Sequence, residues 1–440
     1  MEGPRSRRRT VRTRVIVALL ACAPALSAQD AARRARIDDA VVRASAEIIA
    51  IRQRIHQNPE LGNREFETAT TIAAHLRALG LDVRTGVAHT GVVAILRGGR
   101  PGPVVAVRSD MDALPVTEAS GYPLPSTRRG TYLGKDIGIA HACGHDIHIA
   151  VQLGVATVLA GMKDQLPGTV MFIFQPAEEG APEGEEGGAE LMLKEGLFRT
   201  MKPAAIFGLH TEPGLPVGQV GYGAGPFFAN SDGFIAVIKG KQAHGAAPHE
   251  SVDPIVLASQ VVLALQTIRS RNVPPLDASV ITVGVMRGGE RANIIPSEVE
   301  LRGTVRSYTP AVRDLLERRI REVMAGTTAA GGGSFELRYT RGTPAVANDT
   351  ALTLRMAPTL TRVLGAGNAK VIAPTMGGED FAFFANEVPG MFIRLGTTKP
   401  GGTSGGWHTP TYLGDDTAVP AGIRVMSNLL VDFLDTTTKK

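Results

Sequence analysis

Cysteine is almost missing. The 440 residues hold two, Cys22 and Cys143. Only Cys143 lies beyond the N-terminal segment, so the body has no internal disulfide, and a lone thiol there is a candidate ligand or nucleophile. Aromatic residues make up 5% and Trp occurs once, while 51 Gly and 28 Pro point to many tight turns. An excess of one charge sign is also missing from the body. The formal net charge is +5, and residues 1–28 contain six Arg against one Glu, so the remainder is balanced. A balanced body carries no electrostatic footprint for nucleic acid. Beyond residue 28 no apolar run approaches the ~20 residues that a membrane span needs. With 43% hydrophobic and 20% charged residues, the chain has the make-up of a soluble globular protein. Its length suggests two or three domains.

Residues 1–28 read as an export leader. Arg5, Arg7, Arg8, Arg9, Arg12 and Arg14 form a basic start. Val15 to Leu26 is apolar, and Leu26-Ser27-Ala28 resembles a small-residue cleavage site. The expected location is therefore periplasmic or secreted. Ser6-Arg7-Arg8 resembles part of a twin-arginine signal. Leu19-Leu20-Ala21-Cys22 resembles a lipoprotein box, so lipid anchoring at Cys22 is the alternative.

In the body, apolar spacing predicts helices over Asp38–His56 and Glu65–Leu79, the second stopped by Gly80. Uniformly apolar runs at Val92–Leu96, Val104–Val107, Val170–Phe174 and Ala205–Leu209 suit strands buried on both faces. Helices are expected between them, at His148–Ala160 and Gly188–Lys194. From Phe234 to Thr340 the order becomes β-α-β-β-α-β, a ferredoxin-like unit. After Arg341 the α/β pattern resumes, with helix Leu352–Leu364, strand Met391–Leu395 and helix Val419–Leu434. The expected fold class is α/β. A mixed sheet covered by helices, residues 29–226 plus 342–440, receives an inserted ferredoxin-like unit, residues 227–341.

The densest chemistry is His141-Ala142-Cys143-Gly144-His145-Asp146-Ile147-His148, where five of eight residues can ligate a metal. Thiolate and imidazole suit Zn²⁺ or another first-row ion. A bland reading makes this a polar loop with Asp146 capping the next helix, which leaves two His around a Cys unexplained. Gln175-Pro176-Ala177-Glu178-Glu179-Gly180 directly follows a buried strand, where α/β sheets place functional residues. Adjacent carboxylates point in different directions, so one can ligate while the other acts as general base. Two more strand ends run into Arg108-Ser109-Asp110-Met111-Asp112 and into His210. Trp407-His408 follows the Gly-rich stretch from Gly401 to Gly406, a loop able to close over a site. His244 sits in the Gly/Ala-rich loop Gly240 to His249 of the inserted unit.

Together these residues resemble the binuclear metallo-amidohydrolase superfamily of aminoacylases and carboxypeptidases. The resemblance is nearest to the branch of hippurate hydrolases, N-acyl-amino-acid amidohydrolases and plant auxin-conjugate hydrolases. It rests on Ile55 to Leu61, Asp110 to Pro115, His141 to Asp146, Gln175 to Gly180, the His244 loop, Asn293 to Pro296 and Gly377 to Phe381. The resemblance implies metal ligands Cys143, His145, Glu179, His210 and His408 for two divalent ions, Zn²⁺ or Mn²⁺. It makes Glu178 the general base, Asp112 the residue that orients a ligand, and His244 the oxyanion stabiliser. Asn293 and Arg306 would grip a substrate carboxylate. Asp110 and Cys143 stand where the wider superfamily has His and Asp, which leaves the metal open, and Thr409 stands where relatives often carry Asn or Ser.

The implied activity is hydrolysis of an N-acyl amino acid to a carboxylic acid and a free amino acid. Dipeptidase or carboxypeptidase action with the same metal site is the alternative. A cysteine hydrolase using Cys143 and a non-enzymatic peptide or metal binder come further behind, since a binder has no need of Glu178 beside a ligand. The partners expected are a small N-acyl amino acid or short peptide, no nucleic acid, no membrane span, and a second copy joined through the inserted unit.

Overall fold

In the computed structural model residues 12–438 are described, with side chains from residue 31 to residue 437. Arg5 to Arg9 of the expected leader, and the twin-arginine match with them, lie outside the described residues. The helix predicted over Asp38–His56 is part of a longer one, α1 (Arg12–Gln57), which runs unbroken through Ala28. Helix α2 (Phe66–Ala78) follows, and Gly80 just past its end takes φ +76°, a conformation that costs other residues a Cβ clash. Among the described residues no helix is long and apolar enough to cross a membrane.

An eight-stranded mixed sheet forms the centre. Its spatial order is Asp82–Val87, Gly91–Arg97, Pro167–Gln175, Arg100–Asp110, Ala205–Pro216, Gly390–Thr398, Val220–Tyr222, Ala369–Val371. The four strands from Pro167–Gln175 to Gly390–Thr398 run parallel, and antiparallel pairs complete the edge at Gly91–Arg97 and Asp82–Val87. Alternation along each strand divides the core. Val170, Phe172 and Phe174 enter one buried cluster, while Met171 and Ile173 enter another. Phe207 and Leu209 oppose Ile206 in the same way, as Met391 and Ile393 oppose Phe392. Both faces are therefore apolar, which is why these strands read as continuous hydrophobic runs.

On the first face lie α1, α2, α3 (His145–Ala160), α7 (Thr350–Leu364) and α9 (Ala418–Thr438). On the second lie α4 (Gly188–Lys194) and α8 (Phe381–Glu387). Gly154 of α3 lets the chain pass close to α9, since a Cβ there would fall 2.2 Å from Ile423 Cδ1.

The second sheet has four antiparallel strands in the order Ser279–Arg287, Glu298–Ser307, Asp232–Lys239, Ser334–Thr340. Helices α5 (Pro254–Arg271) and α6 (Pro310–Ala330) cover one face and share its buried cluster. Both start as their sequences suggest, with Pro in the first turn and a capping side chain, Asp253 or Thr309, just before it. Phe227 and Phe228 belong to the core of the large sheet, beside Phe381 and Phe392. The two chain crossings between the sheets are tied by Asn230, which accepts from Ser307 Oγ at 2.5 Å, and by buried Asp232, which takes Arg313 and the Tyr339 hydroxyl.

Two local expectations are corrected. His210 is not at a strand end: its strand continues to Pro216, because pairing with Gly390–Thr398 persists past it. Asp146 does not cap α3. The helix begins at His145, Gly144 precedes it with φ +87°, and no side chain caps it. Asp146 instead takes Arg52 Nε at 2.7 Å and His56 Nδ1 at 2.8 Å, locking α3 to the end of α1.

Candidate metal centre

The parallel strands deliver their last residues to one place. Asp110 ends Arg100–Asp110, Gln175 ends Pro167–Gln175, and the turn after Gln175 carries Glu178 and Glu179. Ala177 holds φ +50° in that turn, with its N–H donating to Glu65 Oε1 at 2.9 Å. Burial and the nearby Asp112 push the Glu65 carboxyl up to about 7. Cys143 and His145 arrive from the start of α3, and His210 from the middle of its strand. His408 comes last, on a loop where it takes φ +63° and its N–H donates to Ala142 O at 2.9 Å.

Three overlapping groups of donor atoms, each within 4.8 Å, bring the sequence candidates together: Cys143, His145 and His210; Cys143, Glu179 and His408; His145, Glu178 and Glu179. The ring orientations suit coordination. His145 Nδ1 lies 2.8 Å from the Asp112 backbone oxygen; a carbonyl only accepts, so Nδ1 carries the proton and Nε2 is left as a lone pair. That Nε2 is buried with no hydrogen-bond partner. His210 Nδ1 is held by Thr211 O at 2.8 Å, and its Nε2 faces Cys143 Sγ at 3.3 Å. His408 Nε2 is 3.1 Å from Glu179 Oε1. Asp112 Oδ2 accepts the Glu179 N–H at 2.9 Å, and Oδ1 lies 3.2 Å from His145 Nδ1.

The electrostatics fit a bound cation. Burial lowers His145, but Asp110 and Asp112 outweigh it and push the ring up to about 10. Burial, then Glu179 and Glu178, push the Cys143 thiol up. Burial, then Glu379 and Glu179, push Glu178 well above its ordinary value. A site that drives protons onto His145, Cys143 and Glu178 together has more negative charge around those groups than its own residues balance. Unpartnered buried donor atoms and surplus negative charge are what a metal would satisfy.

The other sequence candidates fall elsewhere. His244 is exposed on the inserted unit, its Nδ1 accepting from Ala246 N at 3.0 Å. It pairs with Ile294, next to Asn293, whose carbonyl takes the Gly245 N–H at 2.9 Å. Arg306 is half-buried and reaches the Gly378 loop, where an added Cβ would lie 3.4 Å from its Nη1. His141 is buried with both ring nitrogens unpartnered and joins none of the donor groups.

Sequence reasoning missed the support beneath Glu178. Arg108 is fully buried and touches Asp110 at 2.9 Å, Glu379 at 3.0 Å, Asp380 at 2.7 Å and Gln175 at 2.8 Å. Asp380 also takes Gln175 Nε2 and the Ala189 N–H. Glu178, Glu379 and Asp380 form a further acidic group. The Arg two residues before Asp110, inside an apolar strand, and the Gly377 to Phe381 motif were the available signals.

Comparison with known proteins gives a consistent picture. The model of "Peptidase family M20/M25/M40" matches residues 106–432. An "N-acetyl-L-cysteine deacetylase" of Bacillus subtilis (strain 168) is 39% identical over 375 residues, 85% of this chain and 85% of that protein. An "IAA-amino acid hydrolase ILR1-like 2" of Arabidopsis thaliana is 37% identical over 391 residues, 88% of this chain and 85% of that protein. The crystal structure of the Bacillus subtilis YXEP protein, titled a dinuclear metal binding peptidase, superposes with TM-score 0.76 at 33% identity, covering 89% of this chain and 99% of that one. These matches overturn the expected export. The segment read as a leader is continuous in α1 with the body. Neither a periplasmic or secreted location nor anchoring at Cys22 is retained.

Proposed function

The chain belongs to peptidase family M20/M25/M40, and from that premise we propose that it is a two-metal amidohydrolase converting N-acyl amino acids to a carboxylic acid and a free amino acid. The observation that carries this reading is the convergence of buried Cys143, His145 and His210 with Glu179 and the exposed His408, with Glu178 beside them. Thiolate and imidazole favour Zn²⁺ while the carboxylates also suit Mn²⁺. Divalent ions held there would supply Lewis acidity, acidifying water and polarising the scissile carbonyl.

The chain's own residues supply the rest. Glu178 takes the proton of the attacking water and hands it to the leaving amine. Burial and the neighbouring carboxylates raise its carboxyl above the ordinary value, so it holds a proton more readily than an exposed Glu. Asp112 aims His145 and braces the Glu179 backbone. His244 donates to the oxyanion of the tetrahedral intermediate, and Arg306 with Asn293 grips the substrate carboxylate. His244 is exposed on the inserted unit, so that unit, whose sheet begins at Asp232, acts as a lid whose closure completes the site. The same unit exposes Val256 and Leu263 on α5 and Met286 on its edge strand. A second copy docks there in this reading.

Dipeptidase or carboxypeptidase action uses the same ligands and is favoured by the likeness to a structure titled a peptidase. A nucleophilic Cys143 is disfavoured: reactive thiols have depressed pKa values, and here burial and two carboxylates push the thiol up. A panel of N-acetyl, N-benzoyl and dipeptide substrates tests the reading. N-acyl amino acids should give the highest kcat/KM; a preference for free dipeptides would move the assignment to the peptidase.

A further inference from the structure

His148 stands in the motif that suggested metal binding, yet neither of its ring nitrogens is free to ligate. Nε2 lies 2.8 Å from the Thr211 backbone nitrogen. A backbone N–H only donates, so Nε2 accepts and the ring proton sits on Nδ1. Nδ1 faces Asp110 Oδ1 at 2.5 Å, and the other oxygen of Asp110 takes Arg108 Nη1 at 2.9 Å. Asp110, His148 and Thr211 are all buried. Although Asp110, His145 and His148 cluster closely enough to hold an ion, the two rings turn proton-bearing nitrogens toward that cluster. A cation there would meet donors.

Thr211 connects this pair to the donors of the metal centre. Its carbonyl accepts from His210 Nδ1 at 2.8 Å and from Trp407 Nε1 at 3.1 Å. The first contact leaves His210 Nε2 directed at Cys143 Sγ, 3.3 Å away. Its hydroxyl donates to the Cys143 carbonyl at 2.6 Å. Thr211 thus aims His210 through its carbonyl and fixes the backbone of Cys143 through its hydroxyl, and His148 holds the same residue through its N–H.

We infer that Asp110, His148 and Thr211 form a positioning relay that sets the tautomer and aim of His210 and the placement of Cys143, with His148 a positioning residue and not a ligand. The inference rests on the metal centre proposed above. Asp110 keeps the proton on His148 Nδ1, His148 Nε2 captures the Thr211 N–H, and Thr211 orients both donors. Hydrogen bonds behind metal-binding residues are typically worth about 10–100-fold in metal affinity.

The test uses the full chain loaded with Zn²⁺. Long-range ¹H–¹⁵N spectra of histidine-labelled protein should show His148 neutral, protonated on Nδ1, with Nε2 at neither a protonated nor a zinc-bound shift. Zinc release to a chelator should be about 10–100-fold faster for His148→Phe, which keeps the ring volume but neither polar contact. His148→Gln, able to donate and accept, should bind full stoichiometric zinc and release it at an intermediate rate. If His148→Phe does not fold, His148→Gln and the wild-type spectra decide. An Nε2–H tautomer, a zinc-bound shift, loss of one zinc equivalent in His148→Gln, or wild-type release rates in the variants would overturn the relay. Wild-type protein that takes up no zinc would instead overturn the metal-centre reading, so the two failures are distinct.

Discussion

Glu178 and Glu179 share a turn but not an environment. Burial opposes ionisation of Glu179, yet His408 and His145 outweigh it and hold the carboxyl below its ordinary value. Glu178 faces burial and the carboxylates Glu379, Glu179 and Asp380, which outweigh Arg108 and push it up. In the proposed chemistry the one stays ionised as a ligand and the other exchanges a proton. Glu178→Gln should keep the fold and the metal content and lose at least ~10²-fold in rate, the usual worth of general acid–base catalysis. Glu179→Gln should lose metal as well. Metal analysis of both variants alongside kinetics checks this, and the roles are reversed if Glu178→Gln is the one that empties. These residues were legible in sequence because their types are rare beside a buried strand and follow its end directly. His141 and His148 show where that legibility stops. Both lie in the same eight-residue motif as Cys143 and His145, but α3 begins at His145, and its turn sends His148 to Asp110 while His141 finds no partner.

At the scale of elements, the centre depends on strands that end together and on one buried guanidinium that joins them. Arg108 links its own strand to Gln175 of the next and to the Gly377–Asp380 loop, 272 positions away in sequence. No periodicity or local motif announces a contact of that separation, which is why it was not foreseen. The apolar strands themselves were visible, because burial on both faces writes an unbroken hydrophobic run. Their ends were not: pairing carries Arg100–Asp110 and Ala205–Pro216 several residues beyond the apolar stretch, into polar sequence. Arg108→Met keeps the length of the side chain and removes the charge among Asp110, Glu379 and Asp380. Breaking such a buried network on one side costs about 3–5 kcal/mol. Thermal or denaturant unfolding should show a loss of that order, and a variant as stable as wild type would contradict the strut.

At the scale of the whole molecule, two cores with separate sheets are joined by two chain crossings, and the proposed chemistry needs both. The β-α-β-β-α-β order of the smaller sheet was readable because each element is short and bounded by turn or cap residues. The placement of His244 relative to the large sheet was not, since it depends on how the two bodies meet. His244 is exposed, so His244→Ala should change stability by no more than ~0.5 kcal/mol. Metal content should be unchanged, and kcat should fall by about 10²-fold, the cost of removing one oxyanion donor. A variant with wild-type kcat would remove the lid from the mechanism.

Metal dependence is the property on which the proposed chemistry rests most directly. The full chain would be stripped by chelation, verified metal-free by elemental analysis, and assayed for hydrolysis of an N-acyl amino acid before and after adding back Zn²⁺ or Mn²⁺. Activity should be absent from the stripped protein and return as metal is restored, saturating at two equivalents per chain. Full activity in verified metal-free protein would contradict the central claim.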